Sequence, residues 1–561
     1  MAYIIGHNIL SPLGYTSNAN YEAVKEGQSA LAVYPAGSRG VPEAFCASLF
    51  SEAQNEDIAV SELTLFESSI AVSARKAILN SGISVSDGKT VLILSTTKGN
   101  TDLTSPADSA RRIAKYLNIP TEPIVVCNAC ISGLAAVVLG NRLIEAGAYD
   151  YAIVCGADRQ GKFIISGFQS LKALSPEECR PFDIERLGLN LGEAAATVVM
   201  SREKQSNGDW NIVSGAVRND AYHVSAPSRK GEGLYRALCR IVGGKSKDRL
   251  AFVNAHGTAT MFNDQMESVA LQRMGYTDIP VNALKGYFGH TMGAAGILEL
   301  ILSMLAADDG YVIGTRGFEE PGVSGNIMIS SNGSKTDKRD FIKMLSGFGG
   351  CNAAVWISKD MTDDEADYKT RFSRKHSVNI TPHSVSVDGV DIETEGQGKE
   401  LLTNLYKKRI GEYAKFYKMD GLSRLGFVAS ELLLQTEDME RFKEREDRAT
   451  VLFNHSSSVD SDKKYMESIA DAENYFPSPS VFVYTLPNIV TGEIAMRNKY
   501  YGETSFYILP DKNEKLMQAI LQTAFSDPHT TSIIGGWIDY VDAGNFVADI
   551  GIYEKEDNKT L

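Results

Sequence analysis

Cysteine is scarce and runs out early: seven residues among 561, at 46, 127, 130, 155, 179, 239 and 351, with none beyond. An odd number at irregular spacing offers no disulfide framework and fits a reducing compartment. Basic charge is also short, 56 Lys+Arg against 70 Asp+Glu for a net −14. That argues against nucleic acid, whose binding draws on counterions released by a basic surface. No run approaches the roughly 18 to 20 apolar residues of a bilayer crossing, and Met1 to Leu10 lacks the basic start of a secretory signal. The expectation is a cytoplasmic protein without a membrane span. A hydrophobic share of 43%, with 49 Gly and 17 Pro, gives no support to disordered, collagen-like or coiled-coil classes. The length excludes a single small binding module and implies three or four domain-sized units.

The charge is uneven: residues 361–561 carry 23 Lys+Arg and 34 Asp+Glu, the first 360 carry 33 and 36. Up to residue 358, β-rich runs such as TVLILS (Thr90 to Ser95) and YAIVC (Tyr151 to Cys155) alternate with helical patterns, the signature of βαβ units on a parallel sheet. A charged, run-free stretch over 359–375 reads as a linker. Beyond it the pattern resumes as a weak repeat of the start. Ser61 to Leu79 corresponds to Tyr417 to Leu434, Thr90 to Asp102 to Thr450 to Asp462, and Asp150 to Gln160 to Thr531 to Val541.

The chemistry concentrates in PIVVCNACISGLAAVVLGNRLIEAG (Pro123 to Gly147), a strand, a small-residue turn and a helix. Cys130 falls where the helix begins, where unpaired backbone N–H groups favour a thiolate. Ala129, Ser132 and Gly133 let a substrate approach, as a nucleophile on a strand-to-helix elbow requires. Cys127 and Cys130 also form C-x-x-C, open to a redox or zinc reading. Zinc lacks a second ligand pair here, and Cys127 continues the strand rather than opening the helix, which reads as a buried structural cysteine. Four histidines precede residue 360. Two lie in glycine-rich turns: His256 in NAHGTATMFND and His290 in KGYFGHTMGAAG.

In order, NACISG, CRPFD, NLGEAAA, NAHGTATMFND, KGYFGHTMGAAG and GFGGCNAA resemble the signatures of elongating β-ketoacyl-acyl-carrier-protein synthases, from YIIGHNILSPLG at the start to about Ser358. The resemblance implies an α/β thiolase-type fold, two pseudo-symmetric βαβ halves layered α/β/α/β/α, usually dimeric. It implies that Cys130 carries an acyl thioester and that His256 and His290 complete a Cys-His-His triad. Backbone N–H groups of Cys130 and Phe348 would form the oxyanion hole, with Phe348 also a gate. Lys285 and Glu299 would be a supporting pair, and Asp183, Asp264 and Glu267 would organise loops. The implied reaction is decarboxylative condensation of malonyl carrier protein with the Cys130 thioester, in fatty-acid, polyketide or aryl-polyene biosynthesis. No bound cofactor or metal is implied, since substrates ride on the phosphopantetheine of acyl carrier protein. The rivals are a CoA-dependent thiolase-like acyltransferase, which a histidine at 290 disfavours, and a chain-length-factor-like partner, which would lack a nucleophile.

Residues 376–561 go beyond that family. Aligning SVFVYTLPNIVTG (Ser480 to Gly492) with PIVVCNACISG sets Asn488 opposite Cys130 and gives a degenerate thiolase-like half without nucleophile or histidine motifs. The expected assembly is a homodimer or a heterodimer with another synthase-like subunit, and Asn488 is expected to be catalytically silent.

Overall fold

Thr90–Ser95 is buried along its whole length, as a strand must be when helices cover both faces of its sheet. The computed structural model describes residues 1–361, 370–471 and 473–556, so 362–369 of the expected linker lie outside the described residues. Its last four residues, 372–375, already belong to the strand Phe372–Ile380, where pairing with Asn545–Lys555 extends a run whose charge had suggested a connector. The first unit runs β1 (Tyr3–Leu10), α1 (Leu65–Ser81), β2 (Thr90–Ser95), α2 (Pro106–Tyr116), β3 (Ile124–Val126), α3 (Ser132–Glu145), β4 (Tyr151–Asp158), α4 (Lys162–Ser170) and β5 (Ala194–Ser201). Local chemistry sets the ends. Thr64 and Glu67 form a capping box before α1, and Gly82, at φ 68°, closes it. Antiparallel β1–β5 and β5–β4 pairs and parallel β4–β2 and β2–β3 pairs give the order β1-β5-β4-β2-β3.

The second unit repeats this with β6 (Trp210–Asn219), α5 (Glu232–Val242), β7 (Leu250–Asn254), α6 (Met261–Arg273), β8 (Pro280–Asn282), α7 (Ala295–Asp308), β9 (Asp340–Ser346) and β10 (Cys351–Ser358). Its order, β6-β10-β9-β7-β8, carries the same senses. Between the two sheets, α3 and α7 meet through glycine. A Cβ on Gly296 would lie 2.4 Å from the Leu134 nitrogen, and one on Gly133 2.8 Å from the Gly293 oxygen. This is the thiolase-type arrangement, two like halves with helices buried between sheets.

The order appears a third time, in β11 (Phe372–Ile380), α8 (Gly421–Leu434), β12 (Arg448–Asn454), α9 (Val459–Ala470), α10 (Pro479–Val483), α11 (Ile489–Asn498), β13 (Thr504–Ile508), α12 (Glu514–Ala524), β14 (Ser532–Asp542) and β15 (Asn545–Lys555). Here the sheet reads β11-β15-β14-β12-β13. All three sequence correspondences fall on equivalent elements: α1 with α8, β2 with β12, β4 with β14. The Asn488 alignment does not. Asn488 caps α11, which lies between β12 and β13 where the first unit has α2, whereas the counterpart of the Cys130 turn is the one from β13 into α12, Leu509 to Asn513. Small-residue composition misled that match, because strand order fixes equivalence and local similarity does not.

β3 and β13 pair antiparallel, Val126 opposite Tyr507, joining the first and third sheets edge to edge. Buried ion pairs tie the third unit down: Arg142 to Glu503 at 2.7 Å, Lys98 to Asp462 at 2.6 Å, and Arg218 to Asp527 at 2.5 Å. Among the described residues no helix is long and apolar enough to cross a membrane.

Candidate active site

The site grows from three strand ends. β3 stops at Val126, and Asn128 fastens the following turn to β13, donating to the Thr504 carbonyl at 3.2 Å and accepting from the Phe506 N–H at 2.7 Å. Ala129 then turns with φ 48°, a left-handed conformation that costs a non-glycine residue energy. That kink lifts Cys130 to the entrance of α3, and Ser132 locks it by accepting from the Asn128 N–H and donating to the Ala129 carbonyl. β7 delivers His256 and β8 delivers Lys285 and His290, with Asn254 and Asn282 joined side chain to side chain at 2.7 Å. The NLGEAAA segment holds His290 by its backbone: the His290 N–H donates to the Asn190 carbonyl and the Gly192 N–H to the His290 carbonyl.

The Cys130 sulfur and a nitrogen from each of His256 and His290 lie within 4.8 Å of one another, all buried. The imidazoles stand edge to face, centroids 5.0 Å apart. Burial, with Lys285 and Lys343 nearby, keeps both histidines well below the ordinary histidine pKa, hence neutral. His290 Nδ1 accepts the Met292 N–H at 3.3 Å, which puts its proton on Nε2, a buried atom without a partner among the described residues. The backbone N–H groups of Cys130 and Phe348 favour the anionic form of the sulfur and so pull its pKa down against burial.

One sequence expectation reverses. Burial pushes the Cys130 thiol up to about 12, with Lys285 pulling weakly the other way. Cys130 is therefore held as a thiol, and the helix start does not by itself make it a thiolate.

Lys285 and Glu299 form their pair at 2.7 Å, but the sequence reading missed Lys343, whose ammonium bonds the other Glu299 oxygen and the Ala255 carbonyl at 3.1 Å. Burial alone would raise the Glu299 carboxyl, yet the two lysines hold it below its ordinary value. Lys343 itself falls to about 8, chiefly through desolvation. Thiol and imidazoles at this spacing also suit a soft cation, but two ammoniums on one carboxylate close behind them oppose one. Asp158 was missed as well: it binds the Thr97 and Lys98 N–H groups and, at 2.7 Å, that of Gly293, joining the two halves.

The loop carboxylates stand where expected. Glu267 accepts the His256 and Gly257 N–H groups, Asp264 accepts that of Phe182, and Asp183 accepts those of Glu319 and Glu320. Cys127 is fully buried against the Thr97 carbonyl. A cavity of about 430 Å³ opens onto Cys130, His256, His290 and Phe348, its mouth flanked by Met261 and Phe262. Behind Cys130 a second space of about 10 Å³ is lined by Ile164, Phe168, Met292, Phe348 and, from the third unit, Phe482 and Leu486.

Residues 65–206 match the beta-ketoacyl synthase N-terminal domain and residues 211–319 its C-terminal domain. Over this span the chain is similar to the beta-ketoacyl synthase family. Over 273 residues the chain is 30% identical to the tetracenomycin polyketide synthase ketoacyl synthase alpha subunit of Streptomyces glaucescens, covering 45% of this chain and 64% of that protein. Over 255 residues it is 32% identical to 3-oxoacyl-[acyl-carrier-protein] synthase 2 of Rhizobium meliloti, covering 42% of this chain and 60% of that one. The chain thus spans about three fifths of the length of these relatives. In fold it is similar to the ishigamide ketosynthase/chain length factor, with TM-score 0.58 and 24% identity over 64% of this chain and 98% of the other. The PfaC keto synthase-chain length factor matches all of this chain and 79% of its own at TM-score 0.76 and 14% identity. That last match takes the fold likeness through the third unit.

Proposed function

We propose that the chain is a β-ketoacyl-acyl-carrier-protein synthase that elongates a carrier-bound acyl group by two carbons. The observation that carries this is the convergence of one buried thiol, two neutral imidazoles and the N–H groups of Cys130 and Phe348 on one cavity floor. In the first half-reaction the Cys130 sulfur attacks the carbonyl of an acyl-phosphopantetheine thioester. A neutral histidine takes the thiol proton and passes it to the departing pantetheine sulfur, while the two backbone N–H groups hold the oxyanion. In the second, malonyl carrier protein loses CO2. The electron pair left behind forms an enolate whose oxygen accepts from His256 and His290, and its carbon attacks the Cys130 thioester, expelling the Cys130 thiolate, which takes up one proton from solvent to return to the thiol. A preorganised donor of this kind is typically worth roughly 3 to 4 kcal/mol. Burial keeps the histidines neutral, and the Lys285 and Lys343 ammoniums, fixed on Glu299, add to that effect.

The substrates arrive on the phosphopantetheine of acyl carrier protein, and no bound organic cofactor is required. With all seven cysteines free, a reducing cytoplasm is the compartment this reading assigns. Residues 372–556 serve as a chain-length-factor-like half that lacks the nucleophile. The likeness of the entire chain to the PfaC pair and the third sheet order support that assignment. A further synthase-like subunit, identical or not, would use surfaces other than the β3 edge, which β13 already pairs.

The deciding experiment presents full-length protein with acyl and malonyl carrier protein and follows product and intact mass. A stable acyl adduct on Cys130 followed by β-ketoacyl product is expected. Acylation at Cys127, or turnover without an adduct, would refute the reading.

A further inference from the structure

The GFGG loop that supplies the Phe348 N–H does not rest on synthase residues alone. Asn488, 1% exposed at the start of α11, donates its side-chain Nδ2 to the Phe348 carbonyl at 2.8 Å. Directly beside it the loop backbone lies on Gly492: a Cβ there would sit 2.5 Å from the Gly349 oxygen and 2.9 Å from its Cα. Gly349, at φ 86°, would in turn bring a Cβ to within 2.7 Å of Asn488 Nδ2. From the synthase side the Gly349 N–H donates to the Val224 carbonyl and the Gly347 N–H to that of Cys351. The peptide groups flanking the Phe348 N–H are thus held from two units at once.

The Asn488 amide is costly to keep. Its Oδ1 is buried with no hydrogen-bond partner among the described residues, and an unsatisfied buried carbonyl lowers stability where an apolar side chain would not. What the residue gains in return is the bond to Phe348, with a longer one from the same Nδ2 to Cys351 Sγ at 3.7 Å. Resting on the synthase reading above, we infer that Asn488 is a positioning residue for the oxyanion hole: the third unit, without a nucleophile of its own, aims the Phe348 N–H at the reacting carbonyl. This replaces the expectation that Asn488 is catalytically silent.

An oxyanion donor displaced by a fraction of an ångström loses much of its effect, and loss of one such donor typically costs 100- to 1,000-fold. The test follows acyl transfer from an acyl-pantetheine thioester to Cys130 in the full chain by intact-protein mass spectrometry, beside alkylation of the same sulfur by iodoacetamide. Alkylation develops no oxyanion and reports the thiol alone. In Asn488→Leu and Gly492→Ala, acylation should slow roughly 10- to 100-fold while alkylation stays within about twofold. Asn488→Asp adds a signature that a structural role lacks. Its ionised carboxylate cannot donate to the Phe348 carbonyl but its protonated form can, so its acylation deficit should shrink as pH falls from about 8 to 5.5. Unchanged acylation in both Asn488→Leu and Gly492→Ala, or equal slowing of acylation and alkylation, overturns the inference. A wild-type protein that alkylates at Cys130 yet accepts no acyl group refutes the synthase reading itself, and this inference with it, before any variant is compared.

Discussion

Removal of single groups from the cavity floor separates the two half-reactions. Cys130→Ala keeps a small residue at the kinked turn, so the fold should persist while the acyl adduct seen by intact mass disappears. His256→Ala and His290→Ala should each slow CO2 release from malonyl carrier protein by roughly 100-fold or more. If release were unchanged in both, the enolate role would fall. Both imidazoles are held well below the ordinary histidine range, so they stay neutral as pH drops through 6.5, and CO2 release should be nearly flat between about pH 6 and 8. A decline centred near 6.5 would show ordinary, solvated histidines instead. At this scale the sequence disclosed whatever sits in an unusual local pattern: the cysteine of a small-residue elbow, the two histidines in glycine turns. Lys343 escaped because it occupies one inward position of the strand Asp340–Ser346 and meets Glu299 only through tertiary packing. The height of the Cys130 pKa escaped for the same reason, since burial is not written in neighbouring residues.

Among the elements, the crossing of α3 and α7 has the least tolerance. Gly296→Ala would push a methyl carbon to within 2.4 Å of the Leu134 backbone nitrogen, where no flexible side chain can yield. A loss of roughly 1 to 3 kcal/mol in denaturant unfolding is expected, and activity should drop with it because both helices present site residues at their entrances. An unchanged midpoint would mean that the helices separate freely. α10 acts differently: its Phe482 ring packs over Gly167 and against Phe168, centroids 5.5 Å apart, at the end of the narrow space behind Cys130. Phe482→Ala should let acyl groups several carbons longer load onto Cys130, read as a shift in the masses accepted from a mixed acyl-carrier pool. An unaltered distribution would place the chain-length limit elsewhere. Helix and strand identity were readable because periodicity and caps are local. The equivalence of α11 with α2 was not, since only strand pairing decides which crossover a helix belongs to.

In the whole molecule, the third unit is fastened by charge as much as by its sheet. Asp527 lies buried between Arg218 and Arg240, at 2.5 and 3.0 Å. Burial would raise its carboxyl, but the arginines hold it far below the usual range. A depressed carboxylate contributes stability that is fully present above its unfolded value of about 3.9 and is lost as pH falls further. Denaturant midpoints should therefore decline from about pH 4 downward. In Asp527→Asn, destabilised by roughly 1 to 3 kcal/mol because buried Arg218 keeps only the Glu446 carboxylate, 3.5 Å away, that decline should be shallower; equal slopes in both proteins would remove Asp527 from the linkage. The sequence had shown that a third βαβ run exists, but it had no means of showing that β13 would pair with β3 beside the nucleophile turn, a contact between residues almost 400 positions apart.

That β3–β13 seam has a consequence for stoichiometry. Where two separate polypeptides meet edge to edge, the fraction joined depends on how much of each is present, and dilution parts them. Here both edges belong to one chain, so the local concentration of one for the other is fixed by the covalent connection, in the millimolar range or above for short tethers. The loop that carries Phe348 is therefore seated on the third unit in every copy of the protein, and specific activity should stay constant over a thousandfold dilution.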